Sequence, residues 1–594
     1  MPAKTTDFRK LRDLALASSL IAFLLIVFGG IVRVTGSGQA CAGWPTCNGS
    51  WLPPVGFGPR IQYIHRLLSM VALPVFLFTA LEAIRKHRKS PFMLWPSLAA
   101  LILLLAQALL GAGYIASGGI AELSALHLAL GLAIEALLVT VAVLAFVKVR
   151  HPKQVLAFSL NTPFAHLTKW TVAFLFIVLS SGVYVSLSQA TFACSGWPLC
   201  NGEWIPVHPL GWANMAHRLL VGGGSFFMLG MLRRAWQTQR RQVAILSAAS
   251  LTVVLYFSQA FVGALKVTGD FPIYLLGLHE ATSAALWVAA VVLMLLLGIS
   301  QRGAQDEAEE AQMPVDNRQR FKDFISLTKP IIVALLLVTT YAGMVVAVGR
   351  IPSFGLTFWT MLGGALAAGG AGSVNQYIDR DLDQNMTRTA KRPLASGRLT
   401  PAEGLAFALS LLVVSFYIYM GFVNMLAALL SLAGMVYYIF IYSIWLKQAT
   451  VQNIVIGGGA GAIPPMVGWA ATSGGLDWLA LLLFAIVFMW TPPHFWALAL
   501  VRTKDYAKAG VPMLPVVRGE VYTRGQIFIY TIALVLLTLA LPVLHLTGNI
   551  YLISALVLGL LLIYQAWKVW KVGGNKIAWS MYRYSSMYLA FLFL

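Results

Sequence analysis

Apolar runs of about 20 residues, the length that crosses ~30 Å of hydrocarbon at 1.5 Å per residue, recur along this 594-residue chain between short polar segments. The first eight are expected near 14–34, 61–84, 92–113, 122–147, 170–188, 212–232, 244–265 and 275–298. A polar stretch from Gln301 to Gln319, holding Asp306, Glu307, Glu309 and Glu310, breaks the pattern and reads as a cytoplasmic linker between two domains. Nine more runs follow, near 330–349, 355–376, 402–421, 424–444, 451–471, 478–500, 526–546, 549–570 and 577–594. The pattern predicts an all-α polytopic membrane protein of about 17 transmembrane helices, divided into 1–300, a linker over 301–320, and 321–594.

Composition excludes a soluble enzyme: 59% of residues are hydrophobic and 11% charged, against roughly 45–50% and ~25% in soluble domains. Lys and Arg number 42 against 21 Asp and Glu, a net charge of +21. The surplus gathers in alternate loops: Arg85, Lys86, Arg88 and Lys89, then Lys148, Arg150 and Lys153, then Arg233, Arg234, Arg240 and Arg241. The positive-inside rule makes these loops cytoplasmic and puts the loops 35–60 and 189–211 outside. The first run follows Lys4, Arg9, Lys10 and Arg12 and is too long for a signal peptide, so it reads as a retained helix with a cytoplasmic N-terminus. An odd number of spans then puts the C-terminus outside a plasma membrane, with the basic loops touching anionic lipids. Nucleic acid is not an expected partner, because no basic stripe is interleaved with stacking aromatics.

The first half repeats itself. Cys41-Ala-Gly-Trp-Pro-Thr-Cys47-Asn-Gly matches Cys194-Ser-Gly-Trp-Pro-Leu-Cys200-Asn-Gly 153 residues on, and His65-Arg66 matches His217-Arg218 at 152, as His127 matches His279. The domain therefore reads as two parallel four-helix units, about 10–150 and 165–300. All four cysteines fall in the two external loops, where a small-loop disulfide is the simplest reading; a four-Cys zinc site or redox-active thiols are the alternatives. The histidines put two imidazoles at one depth in each unit, on its second and fourth helices. Such a pair suits the axial positions of a haem iron, and Arg66 and Arg218 are placed to meet propionates. A lone intramembrane His more often only hydrogen-bonds a neighbouring helix, but fourfold recurrence at matched depth weakens that reading.

With these motifs, residues 10–300 resemble haem A synthase, a membrane enzyme that oxidises a haem O methyl to formyl. The resemblance implies a bound haem b at His217 and His279 and a substrate-haem site at His65 and His127. One departure is Gln62, where the family commonly has Glu three residues before the first His; Gln cannot serve as a carboxylate base. Its role is then dispensable or falls to another residue such as Glu122.

In the second half, Asn375, Asp379 and Asp383 recur at a spacing of four, which puts three oxygen-bearing side chains on one helical face at a membrane edge. Hard oxygen ligands suit Mg²⁺, which completes its shell with water and substrate phosphates. Lys391, Arg392 and Arg398 can neutralise phosphate oxygens, and a second loop carries Arg502, Lys504, Asp505, Tyr506, Lys508, Arg518 and Arg524. These groups describe a polar head site over a greasy tail channel rather than a merely solvated loop.

Asn-x3-Asp-x3-Asp is similar to the first motif of the UbiA superfamily of membrane prenyltransferases, which implies a nine-helix bundle over about 322–594 with Mg²⁺ at Asn375, Asp379, Asp383 and Asp505. Within it Lys391-Arg-Pro-Leu394, Thr491-Pro-Pro-His494-Phe-Trp496 and Asp505-Tyr-Ala-Lys-Ala-Gly-Val-Pro-Met513 resemble the protohaem IX farnesyltransferase (haem O synthase) family. The superfamily's second motif is Asp-x3-Asp, whereas position 509 is Ala; this agrees with the haem O synthase pattern and argues against a quinone prenyltransferase. The resemblances together imply protohaem IX and farnesyl diphosphate as substrates, haem O as intermediate, and an electron donor that the sequence does not identify. The rival reading is a bis-His membrane cytochrome electron carrier fused to another UbiA-type prenyltransferase. A transporter is disfavoured, because the chemical groups cluster at helix ends rather than mid-bilayer.

Overall fold

The computed structural model describes residues 7–41, 43–52, 55–300, 302–312, 314–544 and 546–593, so Lys4, Gln301 and residue 594 lie outside the described residues. Two compact units, Met1–Met313 and Pro314–Leu594, make up the chain. Among the described residues there is no strand, only the isolated bridges Cys47–Ser50 and Cys200–Glu203. The protein is an all-α polytopic membrane protein.

The first unit contains α1 (Asp7–Val34), α2 (Phe57–Lys86), α3 (Pro91–Ala116), α4 (Ala121–Arg150), α5 (Pro163–Leu187), α6 (Pro209–Thr238), α7 (Val243–Thr268), α8 (Ile273–Gly298) and α9 (Ala304–Gln312). Proline opens α3, α5 and α6, where its missing N–H costs nothing, and Thr162 caps α5 by accepting from Ala165 N–H. In the first repeat α1 packs on α2 and α4, and α3 on α4; in the second, α5 packs on α6 and α7 on α8. Helix α8 also packs on α1 and α4, and Trp287 Nε1 donates to the Leu132 carbonyl at 3.1 Å, so this helix joins the repeats.

The stretch read from sequence as a linker is not a single tether. Residues 304–312 form α9, which packs on α6. Buried Glu307 accepts from Gln239 Nε2 at 3.0 Å and Phe164 N–H at 3.1 Å, and buried Glu310 pairs with Arg302 at 2.6 Å. Sequence reasoning read this stretch as a linker because most groups that receive its carboxylates, Phe164 N–H, Gln239 and Arg241 N–H, lie 68 or more residues away in the chain.

The second unit contains α10 (Asn317–Leu327), α11 (Pro330–Val348), α12 (Phe354–Asp383), α13 (Pro401–Phe422), α14 (Met425–Val436), a π-helical stretch (Tyr437–Leu446), α15 (Lys447–Ala449), α16 (Asn453–Ser473), α17 (Trp478–Val501), α18 (Thr503–Lys508), α19 (Leu514–Val517), α20 (Glu520–Val543), α21 (Asn549–Lys571) and α22 (Asn575–Leu592). Thr400 and Glu403 form a capping box at the start of α13. Helices α11 and α16 cross so closely that a side chain at Gly343 would strike the Pro465 carbonyl, and one at Gly468 the Thr340 carbonyl. The core of this unit is shared by α16, α17, α20, α21 and α22, and includes Trp490, Trp496, Ile527, Leu562 and Tyr588.

Among the described residues 16 helices are long and apolar enough to cross a membrane. The seventeenth expected span is α22, an 18-residue helix that carries Lys576 and Arg583 and is less apolar than the rest.

Candidate functional site

Disulfides Cys41–Cys47 and Cys194–Cys200 close the two loops that precede α2 and α6. Each loop is held by the arginine that follows the first histidine of its repeat. Arg66 donates to the carbonyls of Gly43 (2.9 Å), Cys41 (3.1 Å) and Thr46, and Arg218 to those of Gly196 (2.7 Å), Pro198 (3.1 Å) and Leu199 (3.2 Å). Arg66 is thereby committed to loop carbonyls, whereas Arg218 keeps Nη2 without a partner. Gln62 serves the same loop: its Oε1 accepts from Cys41 N–H at 2.6 Å and its Nε2 donates to the Gly38 carbonyl at 2.7 Å. At the matching place in the second repeat Asn214 donates to the Ala190 carbonyl at 2.8 Å. An amide can accept and donate at once, which an ionised Glu at position 62 could not. Glu122 is exposed near the start of α4.

The four histidines lie about two turns inside α2, α4, α6 and α8, from the ends next to these loops. Each is packed against a glycine of the preceding helix in its own repeat. A methyl group at Gly29 would meet His65 Cε1 at 3.2 Å, at Gly111 His127 Cε1 at 3.6 Å, at Gly182 His217 Cε1 at 3.1 Å and at Gly263 His279 Cε1 at 3.2 Å. These glycines repeat at the same offsets of 153 and 152 as the other motifs. That signal is present in the sequence, but it is hidden among 52 glycines.

The His65 and His127 rings stand 6.4 Å apart between centroids, inclined at 60°. Two imidazoles on one metal, with bonds of about 2 Å each, have centroids roughly 6 Å apart. Among the described residues no side chain reaches the Nδ1 atoms of His65, His127 and His279, and the Leu25 and Gln259 backbones lie against His65 and His279. His217 differs, because Ser181 gives its hydroxyl proton to the Val178 carbonyl (2.7 Å) and so accepts from His217 Nδ1–H (2.8 Å). The His217 tautomer is thereby fixed with Nε2 as a lone-pair donor. The residues fit haem in both repeats, with the second more firmly pre-set.

In the second unit the buried side chains of Asn375, Asp379 and Asp383 share the last turns of α12. Asp379 Oδ2 accepts from Asn375 Nδ2 (2.9 Å) and pairs with Lys447 (2.5 Å), Asp383 Oδ2 pairs with Arg392 (2.7 Å), and Asn375 Oδ1 accepts from Lys329 Nζ (2.6 Å). Sequence reasoning missed Lys329 and Lys447, each a lone lysine at the edge of an apolar run. Lys329 sits at φ +55° immediately before Pro330, a backbone conformation costly for a side-chain-bearing residue and typical of functional sites. Its burial, with Arg392 beside it, pushes the ammonium down to about 7. The π-helical stretch re-registers its helix, so that Ser443 meets Asn375 Nδ2 at 3.1 Å and Lys447 meets Asp379.

Other expected site residues make their bonds to other partners. Asp505 accepts from Thr387 Oγ1 at 3.3 Å and faces Arg502 at 3.8 Å. Arg398 pairs with Asp323 of α10 at 3.0 Å, and Lys391 and Lys504 are exposed. Among the described residues no three His, Cys, Asp or Glu side chains converge on one metal point. Among the described residues, the bonds of Asp379 and Asp383 within the cluster fall on Oδ2, which leaves Oδ1 of each, one helical turn apart, for a further partner. Such a donor set fits a Mg²⁺ held by one or two carboxylates together with substrate phosphate.

An α-helical membrane enzyme with clustered cations and carboxylates at a helix end in one unit and paired imidazoles in the other is thus the class defined by fold and site. The UbiA prenyltransferase family matches residues 336–592, and the cytochrome oxidase assembly protein family matches 12–57 and 60–211. Full-length similarity extends to a "Protoheme IX farnesyltransferase" of Chloroflexus aurantiacus (36% identical, 98% of this chain and 98% of that one) and another of Thermus thermophilus (34%, 99% and 98%). One from Trichodesmium erythraeum is 50% identical over 46% of this chain and 85% of its own. Among solved structures, a UbiA homolog from Archaeoglobus fulgidus bound to GPP and Mg²⁺ is 17% identical, covering 46% of this chain and 98% of that one at a TM-score of 0.36. The chain belongs to the protohaem IX farnesyltransferase family and combines a transferase with an oxidoreductase part.

Proposed function

We propose that the second unit transfers farnesyl from farnesyl diphosphate to protohaem IX, giving haem O and free diphosphate, and that the first unit, with dioxygen as oxidant and an external electron donor, oxidises a methyl of haem O to formyl, giving haem A. The observation that carries this reading is the cluster of Asn375, Asp379 and Asp383 with Lys329, Lys447 and Arg392, three cations beside two carboxylates at the end of an apolar bundle. Lys329, Lys447 and Arg392 hold the diphosphate and stabilise it as it leaves, while Asp379 and Asp383, with Asn375, hold Mg²⁺. When bound, Mg²⁺ supplies further neutralisation of diphosphate charge. Stacked Tyr438 and Tyr442, 5.5 Å apart beside this cluster, offer ring faces to an allylic carbon that gains positive character. The haem vinyl attacks that carbon, and water completes the hydroxyethylfarnesyl group.

In the first unit, His217 and His279 hold haem b, and His65 and His127 receive haem O. Haem b supplies one-electron transfer when bound. The Ser181 lock on His217 suits a resident group. Arg66 and Arg218 position the disulfide loops over the imidazoles. The basic loops and the N-terminus face the cytoplasm of a plasma membrane, and the C-terminus lies outside. In membranes of a host without its own haem O or haem A enzymes, intact protein yields haem A, Asp379→Asn leaves protohaem alone, and His65→Ala accumulates haem O. Haem A formed by Asp379→Asn without added haem O would contradict the assignment. Protohaem alone with the intact protein would favour the cytochrome carrier.

A further inference from the structure

The motif Thr491-Pro-Pro-His494-Phe-Trp496 has no task in the head site. His494 lies on α17, seven residues before its end at Val501, about 10 Å along the helix axis. Its ring is buried and covered on both faces, by Trp490 at 4.2 Å and 21° and by Tyr582 at 4.5 Å and 28°. Ser585 Oγ lies 2.7 Å from Nδ1, and its hydroxyl proton goes to the Tyr582 carbonyl at 2.8 Å. With the serine proton on that carbonyl, the serine oxygen accepts from the ring, the tautomer that keeps the proton on Nδ1 and a lone pair on Nε2. Trp490 Nε1 donates to the Ser585 carbonyl at 2.8 Å and holds the serine in place. Among the described residues nothing hydrogen-bonds Nε2.

A histidine kept only for packing would need neither a fixed tautomer nor an open nitrogen, since phenylalanine stacks as well. An imidazole oriented through Nδ1–H, with Nε2 left free in apolar surroundings, is how proteins present a metal ligand. Tyr582, which covers the ring, interacts electrostatically with Tyr506, and Tyr506 with Arg392 of the head site.

We propose that His494 Nε2 ligates the iron of the porphyrin substrate in the prenyltransferase unit and so turns a vinyl edge of the macrocycle toward the diphosphate site. This rests on the reading of protohaem as substrate. The bond formed is a donor bond from Nε2 to iron; no proton moves, because Nδ1 keeps its hydrogen. The vinyl groups are peripheral, so a ring anchored at its centre leaves one of them free to reach the allylic carbon.

The test uses the full chain and two porphyrins, protohaem and metal-free protoporphyrin IX. Binding is read by equilibrium dialysis and prenylation as separate kcat and KM values. Wild-type protein should bind and prenylate protohaem in preference, and His494→Phe, which keeps the stacking, should lose that preference on the order of tenfold or more. His494→Gly should regain it with added imidazole. The proposal is overturned if wild type shows no preference, or if folded His494→Phe keeps it. A kcat loss equal for both porphyrins with preference intact would instead make His494 a proton acceptor. Failure of wild type to prenylate any porphyrin would refute the underlying reading of the substrate, separately from the role of His494.

Discussion

At the scale of single residues, space around the imidazoles is as specific as the imidazoles themselves. A methyl at Gly182 would press on His217 at 3.1 Å, whereas one at Gly222 would meet nothing within 4 Å. Gly182→Ala should therefore weaken or abolish the low-spin haem b spectrum of purified protein, and Gly222→Ala should leave it unchanged. Equal spectra in the two variants would show that the glycine has no part in seating the ring. His217→Ala and His279→Ala should each remove that spectrum outright. In the head site, Lys447→Met leaves Asp379 without its cation and the diphosphate without a partner. Haem O formation should fall on the order of 10²-fold, as when one preorganised donor is lost from a charged transition state. Near-normal haem O in Lys447→Met membranes would remove the lysine from the site.

At the scale of elements, buried Glu310 holds α9 to the first unit: its carboxylate accepts from Arg241 N–H at 2.9 Å and pairs with Arg302, and its carbonyl accepts from Arg240 at 2.6 Å. Removing one partner of a buried pair costs about 3–5 kcal/mol, more than a nine-residue helix can supply by itself. Glu310→Gln should therefore raise hydrogen exchange across 304–312 while the membrane helices stay protected; unchanged exchange would mean that α9 is held by other contacts. Elements of this kind also mark what sequence alone conveys. The spans were legible because crossing a bilayer demands about 20 apolar residues, and the tandem repeat because the two Cys loops and paired histidines match at nearly one offset. Asn375, Asp379 and Asp383 were legible because one helix carries all three at its own period. Lys329, Lys447 and Glu310 were not, because their partners lie 46, 68 and 8 residues away, and only folding brings those charges together. The propionate role expected of Arg66 and Arg218 came from proximity in sequence to the histidines, whereas both guanidiniums reach backward to loop carbonyls.

At the scale of the whole molecule, the two units share one chain, with α9 ending at Gln312 and α10 starting at Asn317. A covalent link raises the effective concentration of the oxidising unit around newly made haem O, without needing a new contact. Cutting the chain between 312 and 317 should therefore raise the ratio of haem O to haem A at low expression. An unchanged ratio at matched low levels would leave the link with no role in hand-off. The claim that one chain carries both steps is tested most directly by giving purified protein in lipid vesicles protohaem IX, farnesyl diphosphate, Mg²⁺, dioxygen as oxidant and an electron donor, and identifying the extracted haems by mass. Haem O should appear first and haem A after it. Recovery of unmodified protohaem alone, from protein whose bis-imidazole spectrum is intact, would contradict that claim.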